Sequence, residues 1–187
     1  MGMFTKISES AFNELQTNAG VILKSFNPEN PTAPADEDIV CATTGGITVS
    51  CVPSYEDMGA DVDNCPNNTM ELKKLTGWDC KISFTALSIT AETLKLALGA
   101  ADIASGKVTP RAHLKNTDFS DIWWAGDLGE NGVAAACLKN ALSTGGVSIK
   151  TTKDGKGNLS VELTGHVSIK DTDIVPMEFY VKEDVAA

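Results

Sequence analysis

The chain has 187 residues, 42% hydrophobic and 21% charged, which suits one soluble domain able to bury a core without disulfides or metals. Twenty-five acidic against fifteen basic side chains give a formal net charge of -10, which opposes tight binding to a phosphate backbone. The composition is not that of a disordered chain, and no window approaches the roughly 20 apolar residues that span a bilayer, so no membrane anchor is expected.

Residues 1–14 are polar and lack a basic region followed by an apolar core, so no signal peptide is expected and the protein is expected to be made and kept in a cytoplasm. Residues 8–18, with a possible N-cap at Ser8 and Gly20 as a stop, predict a short helix or helical turn, and 21–26 a strand. Residues 27–38 hold Pro28, Pro31 and Pro34 among polar side chains and predict a loop or extended arm. Ile47, Val49 and Cys51 alternate with Thr48, Ser50 and Val52, a strand expected to end at Pro53. A long acidic loop follows over 53–70, carrying Glu56, Asp57, Asp61 and Asp63, and loops of that length usually have a function.

Residues 81–89 predict a strand with a bulge near Ala86, and Thr90 caps a helix over 91–101. Residues 119–125 read as a strand closed by Gly126, Asp127, Gly129, Asn131 and Gly132, and 133–142 as its hairpin partner. Strands over 147–151 and 158–170 bracket the turn Asp154-Gly155-Lys156-Gly157. In the second, Leu159, Val161, Leu163, Gly165, Val167 and Ile169 share the dry side, and Ser160, Glu162, Thr164, His166 and Ser168 the wet side. A last strand over 175–182 precedes a short polar tail.

Two strings recur at long range. TTGGITVS at 43–50 is echoed by STGGVSIK at 143–150, and LTGWDCKISF at 75–84 by LTGHVSI at 163–169. The chain therefore reads as the same hairpin twice, the first copy holding the acidic loop where the second has a tight turn. Two such hairpins side by side would give a four-stranded sheet whose polar face can line a channel in a ring of copies.

No nucleophile elbow, zinc-binding helix, phosphate loop or dinucleotide fingerprint is present. His113 and His166 read as solvated, and Cys137 as a buried spectator thiol. The five cysteines, Cys41, Cys51, Cys65, Cys80 and Cys137, contain no C-x-x-C pair and read as reduced thiols, some buried as small apolar residues. Asp57, Asp61, Asp63 and Asn64 are hard oxygen donors, but their spacing departs from a calcium loop and favours a solvated acidic segment. No catalytic residue, metal or cofactor is therefore assigned. Trp123 and Trp124 are adjacent and must point to opposite faces of a strand, one ring filling the core and the other lying under a loop or meeting a neighbouring subunit.

The strings ELQTNAGVILKSFNP (14–28), ATTGGITVS (42–50), DVDNCPNNTMELKKLTGW (61–78), GAADI (99–103), DFSDIWWAGD (118–127), NALSTGG (140–146) and VPMEFYVK (175–182) occur in an order that resembles siphophage tail tube proteins from phages of low-GC Gram-positive hosts. The resemblance covers nearly the whole chain, and that family has no catalytic motif. It implies a mainly β, sandwich or barrel-like single domain over 1–187 with one flanking α-helix, related to the tubes of contractile tails and type VI secretion. It further implies hexameric rings stacked into a tube, with the hairpin sheets joined into an inner β-barrel through which double-stranded DNA passes. Tape measure, tail tip and tail terminator proteins are the implied partners, and the virion tail, assembled in the host cytoplasm, the implied location. On this reading the 53–70 loop reaches the adjacent ring, 27–38 is a second inter-subunit arm, and Ser160, Glu162 and Thr164 face the lumen, where carboxylates would repel DNA. The alternatives are a tube subunit of a contractile tail or injection particle and, from another class, a β-sandwich ligand-binding module.

Overall fold

Residues 7, 8 and 10–183 are described by a computed structural model. The strands are β1 (Val21–Leu23), β2 (Thr43–Asp57), β3 (Lys73–Ala86), β4 (Ala101–Ala104), β5 (Lys107–Pro110), β6 (Ser120–Leu128), β7 (Gly132–Ser143), β8 (Ser148–Lys150), β9 (Asn158–Thr164) and β10 (Met177–Lys182). One α-helix, α1 (Ala91–Leu98), lies between β3 and β4. The protein is mainly β with one helix and an eight-stranded antiparallel sheet, as the sequence led us to expect.

The sheet runs β1-β6-β7-β9-β3-β2, with β10 beside the first part of β7 and β8 beside β9. Strand β7 is the corner. Its residues 133–138 pair with β10, whereas Leu142 and Ser143 pair with β9, so β7 belongs to both halves of the fold. Between the halves lies a core drawn from both: Ile22, Ile122, Leu138 and Met177 on one side, Ile82, Phe84, Leu159, Val161 and Leu163 on the other. The alternation in β9 decides which side faces in, since Leu159, Val161 and Leu163 are each 3% exposed or less.

Helix α1 closes one end of that core. Thr90 caps it, its hydroxyl accepting from the Thr93 amide at 3.2 Å while the Thr93 hydroxyl accepts from the Thr90 amide at 2.9 Å. The helix is shorter than the predicted 91–101, because Gly99 takes φ +71 and the chain enters β4. Its buried stripe is Thr93 and Ala97, with Leu94 and Leu96 against the core.

The two tryptophans divide as their adjacency requires. Trp124 packs on the main core and donates its Nε1–H to the Ala19 carbonyl at 3.0 Å. Trp123 lies on the opposite face between Phe26 and Tyr180, with ring centroids 5.7 and 5.5 Å away.

Several expectations are corrected. The helical turn shrinks to a 3₁₀ segment at Ala11–Glu14 flanked by Ser10, not capped by Ser8. Strand β1 stops at Leu23 instead of residue 26. Gly126 and Asp127 belong to β6, and the turn lies at residues 129–131. The bulge expected near Ala86 lies on the partner strand, at Gly45 and Gly46. Strand β9 ends at Thr164, six residues before the predicted end, so His166 is not on a strand and Val167 and Ile169 are exposed. The Gly165 amide still donates to the Cys80 carbonyl at 2.9 Å, but the next amide, of His166, donates to Lys139 of β7 instead, and a Cβ at Gly165 would stand 2.7 Å from Leu138 Cδ1 in this close crossing. Residues 1–6, within the polar stretch 1–14, residue 9, within the predicted turn, and 184–187, within the predicted polar tail, lie outside the described residues.

Candidate assembly surfaces

Strands β8, β9, β3 and β2 lie side by side, so the two echoed hairpins do form one sheet. The TGG echo has a structural counterpart. Between Thr44 and Ile47, β2 carries two more residues than the facing part of β3, and between Ser143 and Ser148 the chain carries two more than the facing part of β9. In both places Gly-Gly absorbs the excess, with φ +76 and +87 at Gly45 and Gly46 and +67 at Gly146. The LTG echo does not correspond in this way, since β3 continues beyond Gly77 and β9 ends before Gly165.

One face of this sheet packs on the core and the other is wet. Cross-strand register sorts the wet face into rows: Ser50, Lys81 and Thr164; Thr48, Ser83 and Glu162; Thr44, Thr85, Ser160 and Ser148. The predicted lumen residues Ser160, Glu162 and Thr164 are therefore brought together, on a face made mostly of hydroxyls. Thr144 joins them, its Oγ1 2.8 Å from Thr164 Oγ1 and 3.4 Å from Glu162 Oε1. Sequence reasoning missed Lys81, which pairs with Asp79 at 3.1 Å. Asp79 is the main reason, with Glu162 a smaller one, that the Lys81 ammonium is held above its ordinary value. These rows thus carry one cation, Lys81, beside the single named carboxylate, Glu162. Both side edges of the sheet, β2 and β8, lack a further strand among the described residues.

The predicted 53–70 loop is shortened at its start, where residues 53–57 are strand. Glu56 and Asp57 lie on β2 and Pro53 pairs with Trp78, so the hairpin runs on as a two-stranded ribbon to Asp57 and Lys73. Pro53 is tolerated because β2 is an edge strand. Strand β9 pairs only with residues 81–86 of β3, which leaves the rest of the ribbon without a third strand. On it Val52, Tyr55, Leu75 and Trp78 are 39–56% exposed, and Met58, Val62 and Met70 of the loop that joins its strands are 53–79% exposed.

The true loop, residues 58–69, is closed by Asp57. One carboxylate oxygen accepts from the Asn68 amide and the other from Gly59, each at 3.0 Å, and these bonds hold the Asp57 carboxyl below its ordinary value. Asp61 and Asp63 are exposed on the same loop, and no cluster able to hold a metal occurs among the described residues.

The proline-rich segment is a closed loop rather than an extended arm. Its ends meet through Lys24 N to Asp38 O at 2.8 Å and Val40 N to Ile22 O at 2.9 Å, and the Lys182 ammonium donates to Glu29 O at 3.0 Å. Pro31 is buried, Pro28 half-buried and Pro34 exposed. The loop follows Phe26, which packs on Trp123 of its own subunit.

Burial pushes the thiols of Cys41 and Cys137 up to about 11, which is the opposite of what a nucleophile needs. A cleft of about 310 Å³ beside α1 is lined by Glu92, Lys95, Asp118, Asp121 and Ser143, and the Ser143 hydroxyl is engaged with the Ala97 carbonyl at 2.6 Å. No family model matches the chain, and no curated protein matches it.

Proposed function

We propose that the chain is a structural subunit that closes into hexameric rings and stacks into a tube, the tail tube of a long-tailed phage, through which double-stranded DNA is delivered. The observation that carries this reading is the β8-β9-β3-β2 sheet, wet and hydroxylated on one face and open at both side edges. A 15-residue edge strand is a template for pairing with another chain. Pairing β2 of one copy with the β8 edge of the next is a heterologous contact, which closes into a ring when the rotation per copy fits. The wet face then lines the bore. Its surface is mostly hydroxylated and its Lys81 is already paired with Asp79, so it offers a passing polyanion little to grip.

The ribbon beyond Cys51 and Cys80 supplies the stacking contact, because Val52, Tyr55, Leu75 and Trp78 leave apolar surface exposed on it. The closed loop over 27–38, with Pro28, Pro31 and Pro34, is a second surface for contact between copies. Tape measure, tip and terminator proteins would meet the assembled tube, in the virion and not in a membrane. No catalytic role is assigned.

Electron microscopy of the purified protein tests the proposal. Rings or tubes with a central bore are expected. A lasting monomer that binds a sugar would overturn it in favour of a ligand-binding module, and a tube map with Glu162 on the outer wall would overturn the lumen assignment alone.

A further inference from the structure

We propose that Cys51 and Cys80 are a cross-strand redox pair, which a low-molecular-weight disulfide converts into an intrachain disulfide at the root of the ribbon. The two residues are direct partners in the β2–β3 register, and their sulfurs are 3.1 Å apart. Residues facing each other in an antiparallel pair have Cα atoms about 4.5 or 5.5 Å apart. Both spacings lie inside the roughly 4.4–6.8 Å that a disulfide spans, so bond formation needs side-chain rotation and little backbone movement. Among the described residues neither Cys41, Cys65 nor Cys137 has a thiol contact of this kind.

The two sulfurs are not equivalent. Cys51 is half-buried and can be reached from solvent, whereas Cys80 is 1% exposed and its thiol is pushed up to about 12, first by burial and then by Cys51 itself. Cys51 is therefore the entry point. Its thiolate attacks one sulfur of the small disulfide, forming a mixed disulfide and releasing one small thiol. Cys80 gives its proton to solvent base and attacks Cys51 Sγ, expelling the second small thiol. Two protein thiols are oxidised to one disulfide while the small disulfide is reduced to two thiols. Because burial opposes the Cys80 thiolate, closure accelerates as pH rises.

The position gives the bond its effect. Cys80 is the last buried residue of β3 before the unpacked ribbon, and its carbonyl accepts from the Gly165 amide at 2.9 Å. A bond here ties the two strands together where they leave the body. In a reducing cytoplasm the pair stays a dithiol, and in an oxidising medium it closes. A benefit to a released particle rests on the proposed function; the chemistry rests on the geometry alone.

The test uses the reduced, unassembled full chain with oxidised glutathione, so its outcome does not depend on whether rings form. Free thiols are blocked in denaturant and the peptides are mapped by mass spectrometry. The expected product is a Cys51–Cys80 linked peptide with Cys41, Cys65 and Cys137 blocked as free thiols. Its Tm rises by about 4–10 °C over the reduced chain, a gain absent from Cys51→Ser treated in the same way. Glutathione left on Cys51, a different linkage, no oxidation, or a correct linkage without the gain in Tm would each overturn the proposal. Circular dichroism of Cys51→Ser checks that this variant keeps the fold, and a reduced wild-type chain carrying the dithiol remains the reference if it does not.

Discussion

The two halves of the β2–β3 hairpin share one pair of strands, and only one half is packed. At the root, Ile82, Phe84 and Ala86 are 0–5% exposed, with Ile47 and Val49 opposite them against the core. Past Cys51 and Cys80 the same side of the ribbon carries Pro53, Tyr55, Leu75 and Trp78, the last three 39–56% exposed. Alternation makes both halves amphipathic, but burial requires a facing element, and the core ends at Cys80. A two-stranded ribbon is marginal alone in water, and the distal half keeps an apolar side that the described residues leave uncovered.

The largest effect expected from this contrast is in stability. Ile82→Ala should destabilise the subunit by about 2–5 kcal/mol, since it empties a fully buried site, and Trp78→Ala by less than about 1 kcal/mol. Denaturant titration of the two variants decides it. Equal losses would mean that the ribbon is packed in solution and the contrast is false.

Assembly should reverse the order of the two sites. If the ribbon makes the contact between stacked copies, Trp78→Ala should raise the concentration needed for tubes by roughly 30-fold, as loss of a central aromatic anchor does. Light scattering against protein concentration measures this. An unchanged threshold would remove Trp78 from the contact and leave the ring edge as the remaining surface.

The wet face of the root gives a smaller effect. Glu162→Lys replaces a carboxylate beside Lys81 with a cation and should change subunit stability by less than about 0.5 kcal/mol. Tubes of this variant should retain double-stranded DNA at about 50 mM salt and release it at about 200 mM, while wild-type tubes retain none. Retention by both would show that the bore is lined by another face.

What was legible in the sequence follows the same division. Periodic features translated well: the Leu159-Val161-Leu163 stripe, the β6–β7 hairpin and the Thr90 cap all depend on neighbours close in the chain. Features set by distant partners did not. Pro53 looked like a terminator because proline breaks an inner ladder, and nothing local announces that β2 is an edge strand. Strand β9 was read too long because the alternation continues through residues 165–169 while the His166 amide turns from β3 to the distant Lys139 carbonyl. The closure of residues 27–38 depends on Leu23 bridging Ile39, and the small β4–β5 hairpin was passed over although Ser105 and Gly106 supply its positive-φ turn. Of the candidate surface, Ser160, Glu162 and Thr164 could be read from one strand, whereas Lys81 and the Cys51–Cys80 opposition exist only through register.

The smallest expected effect lies at the ribbon tip and is set by pH. Asp57 is depressed by the Asn68 and Gly59 amides, with Lys73 adding a lesser attraction, so the folded tip prefers the carboxylate more than the unfolded chain does. A depressed carboxyl contributes order that is fully present above its unfolded value, about 3.9, and is lost as pH falls through the lower folded value. The Gly59 and Asn68 amides should therefore be protected from hydrogen exchange at neutral pH and lose protection below about pH 4, before the β9 amides do. Asp57→Asn should show weak protection at every pH, because an amide side chain has one acceptor oxygen where the carboxylate uses two. Simultaneous loss at the tip and in β9 would mean that ribbon and body unfold as one unit, and the distinction between packed root and free tip would fail.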